Sequence, residues 1–224
     1  MAVPRRTKGL TRALLAPAFA AGLGLVLGAA VAADKAGRFD YWVLSLTWSP
    51  QFCKSEPGKA QCKLPLGFVV HGLWPQYEDG YPDYCSERER VPGELVDRML
   101  PLMPDEKLIQ QQWRKHGTCS GMDMSEYFLN VERAWRRVVI PPEFMPDRDA
   151  YESSLQAIEK AFIGANPGFD RDSIALQCGG RWLREVRMCL DRDFQPRACG
   201  EDVTDQCRNK ISVRPIRGRP QPLF

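Results

Sequence analysis

The chain has 224 residues, 44% of them hydrophobic and 26% charged, with a formal net charge of +3. Four of its 31 basic residues and none of its 28 acidic ones fall within residues 1–33, so the remainder carries 27 basic against 28 acidic side chains. Near-neutrality excludes a global basic field as the means of holding a polyanion, and any such partner must be gripped locally.

Residues 1–33 read as a leader. Arg5, Arg6, Lys8 and Arg12 precede an apolar run from Ala13 to Ala30, and Ala30-Val31-Ala32 supplies an Ala-x-Ala cleavage signal before Asp34. Pro17, Gly22, Gly24 and Gly28 dilute the run, which favours a cleaved secretory signal over a membrane anchor. Thr7 and Lys8 are polar where a twin-arginine signal wants an apolar residue. The chain is thus expected to be exported, to a periplasm or the exterior, with no membrane attachment after cleavage. Residues 34–224 are expected to form one domain that acts as a monomer.

All eight cysteines (Cys53, Cys62, Cys85, Cys119, Cys178, Cys189, Cys199 and Cys207) follow the leader. An even number in an exported chain reads as four disulfides, each adding roughly 2–4 kcal/mol by restricting the unfolded chain. There is no Cys-x-x-Cys pair and there are only two histidines, too few to complete zinc ligand sets, so no metal and no cofactor is expected.

Phe39 to Trp48 is the first strand: Trp42, Leu44, Leu46 and Trp48 form an apolar face, with Tyr41, Val43, Ser45 and Thr47 on a mixed one. Pro50 ends it, and Cys53 and Cys62 bracket a small loop. Leu66 to Leu73 is a second apolar run that places His71 at the end of a buried strand, with Trp74-Pro75 predicted to break it. Gln76 to Pro92 is turn-rich and carries Cys85. Pro92 to Leu100 starts a short helix. Asp105 caps another that reaches His116, with Gly117 suited to a left-handed residue after its last turn. Ser125 to Val139 is a third helix, whose Tyr127 and Trp135 lie on a core stripe and whose Arg133, Arg136 and Arg137 form a solvated face. A fourth spans Asp149 to Phe162, closed by Asn166-Pro167-Gly168. Strands return at Ser173 to Cys178, Arg181 to Asp191 and Ile211 to Pro215, before a frayed tail.

The two histidines carry the functional signal. His71 and His116 each sit in an aromatic-flanked, cysteine-flanked segment, and Lys115 adjoins the second. Imidazole, with an ordinary pKa of about 6.5, lets one copy accept a proton while another donates one. Metal-free transfer at phosphorus needs a base for the attacking hydroxyl, an acid for the departing oxygen and positive charge for the phosphorane-like transition state. Two histidines and a lysine supply all three without metal.

The segments Phe68-Val69-Val70-His71-Gly72-Leu73-Trp74-Pro75 and Gln112-Trp113-Arg114-Lys115-His116-Gly117-Thr118-Cys119, in that order with Cys85 between them, resemble the two motifs of the ribonuclease T2 family. Supporting similarity runs through Leu46-Thr47-Trp48-Ser49-Pro50 with Cys53, and through Leu183-Arg184-Glu185-Val186-Arg187-Met188-Cys189. The resemblance implies an α+β fold with a central, mainly antiparallel sheet flanked by helices. It implies an endoribonuclease that cuts single-stranded RNA through a 2′,3′-cyclic phosphate to 3′-phosphate ends. His116 would be the base and His71 the acid, with Lys115 stabilising charge. The implied bridges are Cys53–Cys62, Cys85–Cys119, Cys178–Cys207 and Cys189–Cys199.

One departure stands out. The family has a glutamate where this chain has Gln112, and often a histidine where it has Gln111. Losing that carboxylate lowers the basicity of His116 and predicts a slower enzyme working at lower pH. It also keeps open a second reading, a catalytically weakened RNA- or protein-binding member of the fold. For substrate contacts, Trp74 is the expected base-stacking ring, with Gln76, Tyr77 and Tyr84 completing the pocket.

Overall fold

The computed structural model describes residues 36–86, 89–145 and 149–217. The leader expected at residues 1–33 lies outside the described residues.

Six strands make one mixed sheet in the order β2-β1-β5-β6-β3, with β4 added to β5. They are β1 (Tyr41–Trp48), β2 (Phe68–Gln76), β3 (Tyr151–Ser154), β4 (Ile174–Gly179), β5 (Trp182–Leu190) and β6 (Lys210–Val213). Every pairing is antiparallel except a single parallel register point between β5 and β6, Trp182 opposite Ser212. The sheet is the mainly antiparallel one expected. β1 lies between β2 and β5 and is buried throughout. Its apolar face (Trp42, Leu44, Leu46, Trp48) joins the main core with Tyr127, Phe128, Ile109, Trp113 and Phe162 from the helices. On the opposite face, Tyr41 and Val43 pack with Trp74, Cys189 and Val203, and Ser45 and Thr47 stay polar.

The helices are α1 (Ser49–Ser55), α2 (Gly93–Met99), α3 (Glu106–Lys115), α4 (Met124–Arg136) and α5 (Leu155–Ala165). The Asp105 carboxylate caps α3 by accepting from the Leu108 amide at 3.2 Å, and Asp123 caps α4 through the Glu126 amide at 2.8 Å. Buried Tyr127 on α4 donates its hydroxyl to the Leu73 carbonyl at 2.9 Å, fastening the helix beneath β2.

Three expectations need correction, and a fourth, that Pro50 ends β1, is met by a helix in place of a loop. β2 does not break at Trp74-Pro75 but runs to Gln76, with Pro75 paired to Trp42. It is an edge strand, where a missing backbone donor is tolerated. Pro50 ends β1 by opening α1, since proline fits the first turn of a helix. The helix expected from Asp149 starts only at Leu155, because Tyr151–Ser154 pairs with β6 and Ser154 is the cap. Gly117 is not left-handed: the chain continues after α3 as a 3-10 turn, Gly117–Cys119. Glycine is required there for space, since a Cβ would collide with the Trp113 ring and meet Tyr127 Cδ1 at 3.0 Å.

All four bridges pair as the resemblance implied. Cys85–Cys119 ties the loop after β2 to the turn after α3, and Cys189–Cys199 anchors a C-terminal loop to β5.

Candidate active site

A cleft of about 230 Å³ opens where β2, the C-terminal end of α3 and β5 meet. His71, Trp74, Gln76, Tyr81, Gln112, Lys115, His116 and Arg187 are among its lining residues, so the two sequence segments do converge.

His71 arrives through a β-bulge. β1 and β2 pair Ser45 with Gly72 and then Leu46 with Val70, leaving His71 as the extra residue. In an unbroken strand, alternation would put His71 on the same face as Leu73, which lies opposite Leu44 in the core. The inserted residue lets Val70 and Leu73 both stay buried while the imidazole turns toward the cleft. Its Nδ1 lies 2.9 Å from Glu185 Oε1 on β5.

His116 follows the last residue of α3, its amide donating to the Gln112 carbonyl at 3.0 Å. It is only 5% exposed. Burial, then the charges of Lys115 and His71, push its pKa down to about 3, so it is neutral over the ordinary pH range. Lys115 Nζ donates to the Tyr81 hydroxyl at 3.3 Å and stands 4.7 Å from that ring's centre.

Trp74 joins the two histidines. Its ring is stacked on His116 at 5.3 Å and meets His71 edge-on at 5.1 Å. The Arg187 guanidinium lies 5.2 Å from its centre, and the residue is 9% exposed. Trp74 thus packs against His71, His116 and Arg187 while still lining the cleft, a scaffolding contact beside the stacking role expected of it. Its indole N–H donates to Gln112 Oε1 at 2.7 Å. Gly72 makes that contact possible, because a Cβ there would collide with both the Gln112 oxygen and the indole nitrogen. Gln112, 3% exposed, is therefore a structural acceptor as well as a lining residue.

Of the remaining expected contacts, Gln76 lines the cleft and is buried. Tyr77 and Tyr84 do not line it. Tyr77 packs against the core. Tyr84 is exposed at φ 50°, its amide donating to the Lys115 carbonyl at 3.0 Å, so it braces the lysine's backbone. Tyr81, unassigned from sequence, takes the position expected of them: exposed, lining the cleft and tilted 5.9 Å from His116.

Glu185 and Arg187 were also unassigned. Their signal was the alternation in β5, where Glu185, Arg187 and Cys189 share a face, while a register shift at Arg184 turns Leu183 to the main core with Val186, Met188 and Leu190. The register sets Glu185 opposite Thr47 and Arg187 opposite Ser45, on the polar face of β1. Burial alone would raise the Glu185 carboxyl, but the hydrogen bond and charge of His71, with Arg187 and Arg184, outweigh it and hold the pKa at about 2. Asp202 and Val203 close the far wall. Their loop is held by the paired Arg197–Glu78 contacts at 2.8 and 3.0 Å.

This disulfide-braced α+β domain has the fold of solved ribonuclease-related structures, and the family model for the Ribonuclease T2 family matches residues 39–199. The chain belongs to that family and is an endoribonuclease of the T2 type. It is 43% identical over 218 residues to a ribonuclease of Aeromonas hydrophila, covering 94% of this chain and 93% of that one. Ribonuclease T2 of Danio rerio is 27% identical over 211 residues, covering 82% of each. Among solved structures, an RNase-related protein from Calystegia sepium superposes with a TM-score of 0.65 at 23% identity, covering 81% of this chain and 99% of that one.

Proposed function

We propose that this ribonuclease cleaves single-stranded RNA by transphosphorylation, with no metal required. In this reading His116, kept neutral by burial and its cationic neighbours, removes the proton from the 2′-hydroxyl. The freed oxygen attacks phosphorus, Lys115 stabilises the charge that builds on the phosphoryl oxygens, and His71 protonates the 5′-oxygen as it leaves. The products are a 2′,3′-cyclic phosphate and a 5′-hydroxyl. Water then opens the ring with the two imidazoles exchanging roles, giving a 3′-phosphate. Trp74 and Gln112 hold the imidazoles in place, and Tyr81 with Gln76 is the best-placed pair to receive a base.

The observation that carries this reading is the shared indole: one ring touches both histidines, which therefore border one cleft with Lys115 beside them. Four disulfides and the leader read in residues 1–33 support export to an oxidising compartment, periplasmic or extracellular. No helix among the described residues is long and apolar enough to cross a membrane.

Purified protein incubated with single-stranded RNA in excess chelator should yield fragments ending first in 2′,3′-cyclic phosphate and later in 3′-phosphate. RNA left intact from acid to neutral pH would instead favour the second reading, a binding protein weakened by Gln112. Cleavage lost on chelation would overturn the metal-free chemistry.

A further inference from the structure

Three strands converge to set a buried carboxylate behind one of the site imidazoles. Glu185 is 5% exposed. Its Oε1 lies 2.9 Å from His71 Nδ1, and its Oε2 accepts from Ser45 Oγ at 3.4 Å on β1 and from an Arg187 guanidinium nitrogen at 3.5 Å on β5. Both oxygens are thus engaged, and the acid is fixed from strands other than the one that carries the histidine. An ionised carboxylate only accepts hydrogen bonds, so the His71 nitrogen facing it must carry hydrogen. The other ring nitrogen, Nε2, is left for the cleft.

We propose that Glu185 is a positioning residue for RNA cleavage: it holds the His71 ring with Nδ1 protonated and Nε2 free for the phosphodiester, and it stabilises the imidazolium that gives its proton to the leaving oxygen. This rests on the acid role given to His71 above. It also changes how the substitution at position 112 is understood. With glutamine at 112, the carboxylate that hydrogen-bonds a site histidine is on the acid's side of the cleft, not the base's.

The charged groups facing the pair come from several elements. Arg184 and Arg187 lie on β5, Lys115 and His116 at the end of α3, and Lys59, Glu56, Asp105 and Lys107 around the adjoining hollow that His71 and Glu185 also border. Lys59 and Asp105 neutralise each other at 3.1 Å. Glu185 is the carboxylate that hydrogen-bonds the imidazole.

The test compares Glu185→Gln, Glu185→Asp and His71→Ala, singly and with Glu185→Gln combined with His71→Ala, by pH profiles of kcat/KM and by nitrogen NMR of the His71 ring. Glu185→Gln should cost about 10- to 100-fold in kcat. The shape of its pH profile should change on the alkaline side, because the imidazolium loses its counter-charge. The NMR spectrum should show hydrogen on either ring nitrogen instead of Nδ1 alone. Glu185→Asp, which keeps the charge, should recover the wild-type shape of the profile, and the double variant should be no worse than His71→Ala. A residue that merely ties β5 to β2 would lower stability and leave the profile's shape and the NMR tautomer unchanged, and that result overturns the inference. Should His71→Ala retain full activity, the acid assignment itself falls; if His71→Ala is inactive and Glu185→Gln is normal, only the role of Glu185 does.

Discussion

Replacing Gln112 with glutamate supplies the carboxylate that the motif resemblance led one to expect, and the structure sets the size of the effect. The Gln112 oxygen accepts from the Trp74 indole at 2.7 Å in a nearly closed space, and a glutamate of the same shape keeps that bond while adding a negative charge beside His116 and Lys115. In the native chain His116 sits at about 3, pressed down by burial, Lys115 and His71. An opposite charge in contact with the site favours the protonated imidazole and should lift that value by roughly 1–3 units, to between about 4 and 6. A general base works only when unprotonated, so the acid limb of kcat/KM should move up into that interval. A base of higher pKa also accepts a proton more readily, so the plateau should rise about tenfold. The assay is kcat/KM on a short fluorogenic RNA from pH 3 to 8, on protein shown to be folded at each pH. Superimposable profiles for Gln112→Glu and the native chain would refute the account of this position.

Two further outcomes follow from the packing and the charges. Gly72→Ala drives a methyl between the Trp74 nitrogen and the Gln112 oxygen; overpacking of this kind should cost about 1–3 kcal/mol in a denaturant titration, with a loss of activity larger than the fraction unfolded explains. Acid should weaken the fold in two overlapping stages. His116, ordinarily at 6.5 and here at about 3, contributes stability that is complete above pH 6.5 and is lost as pH falls toward 3, because the unfolded chain takes up a proton the folded one refuses. Glu185, ordinarily at 4.5 and here at about 2, contributes stability complete above pH 4.5 and lost toward 2. Urea midpoints at pH 7, 5 and 3 should therefore fall throughout, and His116→Phe should flatten the decline between pH 6.5 and 4.5 more than that below it.

Residues that carry their own chemistry were legible in the sequence; those that act through register were not. The two motifs located His71, Gln112, Lys115 and His116, and periodicity found β1, β5 and the α3 and α4 helices close to their observed limits. What alternation could not show is the bulge at His71, since an apolar run reads the same whether or not one residue is inserted. Trp74 was legible as a residue of the site, but its packing against His116 and Arg187 needed the fold. Tyr77, Tyr81 and Tyr84 lie in one turn-rich loop, and nothing in their spacing tells which will face the cleft. The contacts that decide it, Tyr84 amide to Lys115 carbonyl and Lys115 ammonium to Tyr81, join segments some 30 residues apart. Glu185 and Arg187 needed the pairing of β5 with β1 before their alternation acquired a target.

The division of labour between the two imidazoles is tested most directly with an RNA whose departing 5′-oxygen is replaced by sulfur, a leaving group that needs no proton. On that substrate His71→Ala should regain most of the activity it loses on ordinary RNA, while His116→Ala should stay inactive. Rescue of His116→Ala in place of His71→Ala would reverse the assignment, and failure to rescue either would contradict acid catalysis at the leaving oxygen altogether.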